Sequence, residues 1–338
     1  MKIDLRSDTV TKPSPEMLKA MMNAEVGDDV FGEDPETNRL EEYAANLFSK
    51  EAALFCPSGT MANQIAIRVH TSPGDEVICD VNSHIFNYET GGIAANSSAQ
   101  ARLVNGNRGI LTAELIEKSI NSDYDWLAHT GLVSLENTVN KAGGSYYSLK
   151  QISPIRELCN SKNLPLHLDG ARIFNALTET HESPSAHAAL FDSLSVCLSK
   201  GLGAPSGSLL LGTKSFIKKA RRIRKQFGGG MRQIGYFASA GRFALENNVV
   251  RLKEDHQKAR IISKELASTQ WVEEINPVET NIIIFHTKDS ETASRILKQL
   301  QEKNVWISSF GPQTLRMVTH LDFTDTHLDA LVKIIHAI

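Results

Sequence analysis

Apolar residues along this chain gather in short, nearly continuous runs separated by longer stretches of helical period. The runs are AALFC (52–56), DEVICD (75–80), ARLV (101–104), GLVSLE (131–136), LPLHLD (164–169), SLSVCLS (193–199) and GSLLLG (207–212). Their length and composition predict strands. Helical patterns at 60–71, 112–120 and 148–162 lie between them, with two more at 16–25 and 36–49 ahead of the first run. Such alternation predicts an α/β fold with a mostly parallel sheet covered by helices on both faces. GSLLLG follows SLSVCLS too closely for a crossover helix, so that pair is expected to be antiparallel.

The pattern changes near residue 245. A polar helix (249–268) precedes NIIIFH (281–286), a helix (290–302), NVWIS (304–308), TLRMVTH (314–320) and a closing helix (325–337). The expectation is an N-terminal arm and large α/β domain over 1–245, a small α+β domain over 246–338, and a cleft between them.

Composition narrows the function. The 338 residues are 41% hydrophobic and 22% charged, with a net charge of −3. No basic excess suggests nucleic acid. The one cationic cluster, KKARRIRKQF at 218–227, reads as a solvated helix face or as a positive rim beside an anionic ligand or partner subunit. Cys56, Cys79, Cys159 and Cys197 have no metal-motif spacing and read as buried thiols in a reducing cytosol. No apolar stretch reaches the roughly 20 residues of a membrane span, and MKIDLRSDTV lacks a signal peptide's apolar core. A soluble cytoplasmic protein without a metal site is expected.

Candidate chemistry collects where the strands end. LPLHLD ends in Asp169 and runs on to Arg172; DEVICD leads to His84; GLVSLE ends in Glu136; SLSVCLS stops just before Lys200. In open α/β sheets ligands bind at that edge. Ser58, Gly59 and Thr60 open a helix directly after a strand, where free N–H groups and the helix dipole favour an anion. A lysine at a strand end, a buried aspartate and a phosphate site fit pyridoxal 5′-phosphate: Lys200 for the Schiff base, Asp169 for the pyridine nitrogen, and the helix start for the phosphate.

The segments DLRSDTVTKPS (4–14), GDDVFGEDP (27–35), FCPSGTMANQ (55–64), HLDGARIFNA (167–176), CLSKGLGAPSGSLL (197–210) and FGGGMRQ (227–233) resemble the low-specificity L-threonine aldolases. The resemblance implies an aspartate-aminotransferase-like fold and retro-aldol cleavage of L-threonine or L-allo-threonine to glycine and acetaldehyde. It implies that Lys200 carries the cofactor, that Asp169 serves the pyridine nitrogen and that His84 stacks on the ring. Ser58, Gly59 and Thr60 would hold the phosphate, with Arg232 near the cofactor. Ser7, Arg172 and Arg316 would hold the substrate carboxylate. A homotetramer, a dimer of dimers, is implied as well.

Two positions depart from the family pattern: ENTVN carries Val139, and Trp126 stands where a histidine near the substrate hydroxyl is usual. The hydroxyl-proton acceptor is therefore open between His84 and a bound water, and the threo/allo preference is open too. The alternatives are a β-eliminating lyase, an aldolase for another β-hydroxy amino acid such as phenylserine, or an idle cofactor-binding scaffold. His129 is expected to be an ordinary loop or strand histidine; His167, sharing a face with Asp169, is expected to support it or simply to pack.

Overall fold

A computed structural model describes all 338 residues. The strands are β1 (Ile3–Asp4), β2 (Ala52–Cys56), β3 (Glu76–Asp80), β4 (Gln100–Val104), β5 (Thr130–Glu136), β6 (Leu166–Gly170), β7 (Ser193–Cys197), β8 (Ser208–Gly212), β9 (Glu274–Ile275), β10 (Ile282–His286), β11 (Val305–Trp306), β12 (Ser308–Ser309) and β13 (Thr314–Val318). Seven of them form one sheet in the order β2-β8-β7-β6-β5-β3-β4. Only β8 runs against the rest, pairing antiparallel with both β2 and β7. The expected strands, and the antiparallel turn-back at GSLLLG, are therefore present.

The central strands are buried along their whole length because helices cover both faces. Leu166, Leu168, Leu194 and Val196 pack into the main core, while Leu54, Cys56 and Leu210 pack on the other face under Ile65 and Ala66. The second sheet, β12-β13-β10-β9, is antiparallel. Its core includes Ile283, Phe285, Leu315 and Met317. Ile3 and Leu5 join that core, since β1 pairs parallel with β11. The N-terminal arm thus crosses from the two-stranded β1-β11 ribbon, packed on the second sheet's core, to the edge of the large sheet.

Two sizeable helices lie outside the expected set, at Ile173–Thr180 and Gly235–Asn247. The second is rich in Gly, Ala and Ser, which blurs its apolar period. Its Gly241 lies so close to the core that an added Cβ would stand 2.7 Å from Leu198 Cδ1.

Candidate active site

All strands of the large sheet except β8 point the same way, so β2, β3, β5, β6 and β7 end on one edge. The register sets Glu136 beside Asp169 and Asp169 beside Ser195. Neighbours in a parallel ladder share a face, so one polar row crosses the sheet there.

Asp169 is buried, and its oxygens accept from Asn63 Nδ2 (2.9 Å) and the Ala171 N–H (3.1 Å). It has no cationic side chain as a salt-bridge partner. A buried carboxylate without a counter-charge is costly, and a protonated ring nitrogen would supply one. Asn63 is held in turn: its Oδ1 accepts from Ser195 Oγ (2.7 Å) and faces His167 Nε2 at 3.3 Å. His167 Nδ1 lies 2.9 Å from Ser193 Oγ. Burial lowers its pKa to about 3, so the ring is neutral. His167 therefore braces Asn63, which orients Asp169.

Lys200 follows β7, half-buried, and its Nζ makes no hydrogen bond or ion pair, whereas its carbonyl accepts from Thr11 Oγ1 at 3.1 Å. Ser58 caps the helix Gly59–His70, its Oγ accepting from the Met61 N–H at 3.2 Å. The Gly59 and Thr60 N–H groups stand in the first turn, where the helix supplies no acceptor. A Cβ on Gly59 would stand 2.7 Å from Cys197 Sγ. Glycine lets the helix start sit against the end of the strand that leads to Lys200. The residues present fit a phosphorylated pyridine aldehyde: free N–H groups, a free amine and an unpaired buried carboxylate.

His84 follows β3. Its N–H donates to Glu136 Oε2 (2.8 Å), and its ring Nδ1 lies 3.0 Å from Glu89 Oε1. Burial alone would lower the His84 pKa, but the hydrogen bond to Glu89 and the charge of Asp169 outweigh it and raise it. Burial and the Asp169 charge push the Glu136 carboxyl up, against hydrogen bonds from the Asn140 and His84 N–H groups.

A second cluster forms where the arm meets β6. Arg172 Nε and Nη2 donate to the two oxygens of Asp8, each at 2.7 Å. Ser7 lies alongside, its hydroxyl 3.5 Å from Asp8 Oδ1. Arg316, from β13, donates through Nη1 to Asn140 Oδ1 (2.8 Å) and through Nη2 to the Arg6 carbonyl (2.9 Å). Asn140 Oδ1 also accepts from Arg172 Nη1 at 3.4 Å. Arg316 is buried, stacks 4.4 Å over the Phe310 ring, has no carboxylate partner, and leaves its Nε without an acceptor. Burial and the neighbouring Arg172 lower its pKa to about 10, so it remains a cation.

Some expected placements differ. The fork of Arg172 is taken by Asp8, which leaves Arg316 as the cation without a counter-charge. Arg232 turns to Asp28 (2.8 Å) and is half exposed, although its loop packs Gly229 against Met61 at the helix start. Trp126 is not in this chain's site. The loop before β5 carries it at the opposite edge of the sheet, where it is 75% exposed and stacked 4.7 Å from Tyr124. The reason is strand direction, since that loop feeds the start of β5. His129 lies at the same far edge, beside Asp75. Val139 packs against Gly109 and is buried. Asp8, Asn63, Glu89 and Asn140 are site residues that sequence reasoning missed.

The beta-eliminating lyase family matches residues 4–290. The chain is 41% identical to a probable low-specificity L-threonine aldolase 2 of Arabidopsis thaliana, over 99% of this chain and 98% of that protein. It is 42% identical to the low specificity L-threonine aldolase of Escherichia coli O157:H7, over 96% of each. A solved threonine aldolase of Leishmania major shares the fold, with a TM-score of 0.86 and 21% identity over 99% of both chains.

Proposed function

Since the chain belongs to the beta-eliminating lyase family and to the low-specificity L-threonine aldolases, we propose that it cleaves L-threonine and L-allo-threonine to glycine and acetaldehyde. The observation that carries this reading is Arg316: a buried guanidinium with an orphaned Nε and no carboxylate partner, beside Arg172. Such a cation calls for a small anion, and an amino-acid carboxylate matches its fork.

Pyridoxal 5′-phosphate, when bound, supplies the aldehyde that captures the substrate amine and the ring that takes up the electron pair of the broken Cα–Cβ bond. Ser58, Gly59 and Thr60 would hold its phosphate, Asp169 its ring nitrogen, His84 its ring face and Lys200 its aldehyde carbon. The work of the protein is orientation. Arg316, with the outer edge of Arg172 and the Ser7 hydroxyl, holds the carboxylate, which decides which bond at Cα is cleaved. His84 takes the hydroxyl proton as acetaldehyde leaves, and a proton returned to Cα completes glycine; the half-buried, unpaired Lys200 amine supports its delivery.

The same reading extends to a homotetramer built as a dimer of dimers. Exposed Phe31, Tyr124 and Trp126 offer apolar surface for such contacts. No helix is long and apolar enough to cross a membrane. Four buried free thiols support residence in the reducing cytoplasm, where the reaction would serve threonine breakdown and glycine supply.

The test is a visible spectrum of the purified protein with acetaldehyde assayed in the same cuvette. A cofactor band lost in Lys200→Ala, together with acetaldehyde from either diastereomer, supports the reading. A band with a keto acid in place of the aldehyde would turn it into an eliminating lyase. No band after adding the cofactor would overturn it.

A further inference from the structure

The helix Gly59–His70 and the turn after β3 bury Glu89 among groups that fix how its carboxyl is used. Oε2 accepts from Gln64 Nε2 at 2.6 Å, and Oε1 accepts from Asn63 Nδ2 at 2.9 Å. The orientation of the Asn63 amide is determined by its surroundings. Its oxygen accepts from Ser195 Oγ, and its nitrogen spans Glu89 and Asp169, so a flip would turn oxygen onto two carboxyls. Asn96 Nδ2 likewise approaches Gln64 Oε1 at 3.3 Å, which leaves the Gln64 nitrogen toward Glu89. Glu89 is thus an acceptor on every side, and His84 Nδ1, 3.0 Å away, must be the donor. His84 Nε2 has no partner within the chain, and the ring keeps an open side, at 27% side-chain exposure.

We propose that Glu89 is a positioning residue that pins the Nδ1–H tautomer of His84 and so leaves Nε2 as the lone pair that accepts the substrate hydroxyl proton. The logic is that of a carboxylate orienting a histidine base through its other nitrogen. It also accounts for a base at this site when the usual histidine positions hold Val139 and Trp126, one packed on Gly109 and the other at the far edge of the sheet. The inference rests on the aldolase reading for its substrate, but the tautomer itself does not depend on it.

The test uses the cofactor-loaded protein labelled with 15N-histidine, with the His84 signal assigned by its loss in His84→Asn. Near pH 8 the proton is expected on Nδ1 in the wild type, and on Nε2 or divided between the nitrogens in Glu89→Gln. A wild-type proton on Nε2, or a Glu89→Gln spectrum identical to wild type, overturns the proposal whether or not threonine is cleaved. Turnover gives an independent readout. Besides Glu89, the titratable groups that influence or contact His84 are Asp169, Lys200, Glu136 and Tyr88. Removing only the Glu89 charge should move the acid limb of kcat down by about 1 to 3 pH units. The plateau should fall about tenfold or more while the cofactor band stays. A fallen plateau with an unmoved limb means that Glu89 is merely structural. Absence of acetaldehyde from the wild type, with the tautomer as expected, overturns the aldolase reading and leaves the pair standing.

Discussion

Asp8 and Arg172, 164 residues apart in sequence, meet as a two-pronged ion pair in which both side chains are buried. The arm that carries Asp8 begins as β1, paired with β11 in a two-stranded ribbon beside the second sheet, and ends against the residues that follow β6 of the large one. One contact therefore orients the arginine and ties both parts of the fold to the site.

Breaking this pair leaves a buried cation uncompensated, at a cost of about 3–5 kcal/mol. Asp8→Asn should lower the unfolding midpoint accordingly and raise KM for threonine more than it lowers kcat. Burial would raise the Asp8 pKa, but the Arg172 charge and hydrogen bonds hold it well below the ordinary carboxylate range. A depressed folded-state pKa stabilises fully above the unfolded value of about 4 and is lost as pH falls toward the folded one. The difference in stability between wild type and variant should be constant above about pH 5 and shrink below pH 4. A difference independent of pH down to 2 would contradict this.

Arg316 separates charge from geometry. Arg316→Lys keeps a cation and loses the planar fork, so kcat/KM should fall at least tenfold, chiefly through KM. The burial and the Arg172 charge that lower Arg316 to about 10 would also lower an ammonium placed there, whose ordinary value is already below that of a guanidinium. The KM of the variant should therefore worsen with rising pH between 7 and 9, while that of the wild type does not. Steady-state kinetics across that range decide it.

The sequence made the strand-end residues visible because position alone defines them. Lys200 and Asp169 stand where runs of apolar residues stop, and the parallel alternation fixes which edge that is. Their partners were hidden. Asp8 is buried because β1 docks on β11, and Glu89, in a turn, because Asn63 and Gln64 face it from the helix Gly59–His70. Polar residues in polar segments give no local sign of burial. Trp126 is a different case: strand direction, which no local residue pattern displays, puts the loop before β5 at the far edge of its own chain.

Gly59 should be intolerant of any side chain. A Cβ 2.7 Å from Cys197 Sγ would lift the helix start from the end of β7. Gly59→Ala should weaken cofactor binding by roughly 5- to 150-fold, corresponding to an overpacking cost of about 1–3 kcal/mol. Cys197→Ala removes the clashing sulfur, so the double variant should recover part of the loss. Titration of the visible band gives all three dissociation constants, and equal losses in the single and double variants would refute the steric account.

Asn140 keeps two arginines side by side without neutralising either, its one oxygen accepting from both Arg316 and Arg172. An amide suits this role because it offers an acceptor and no charge. Asn140→Asp would place a permanent carboxylate at that point, giving Arg316 the anion it lacks. The protein should become more stable to heat, since a buried cation gains a partner, and the substrate carboxylate should be repelled from an already satisfied pair. KM for threonine should rise at least tenfold while the cofactor band is unchanged. Asn140→Ala should also raise KM but lower the unfolding midpoint, since Arg316 Nη1 then loses its acceptor. The opposite signs in stability, with the same sign in KM, distinguish a charge held open for substrate from a simple packing contact.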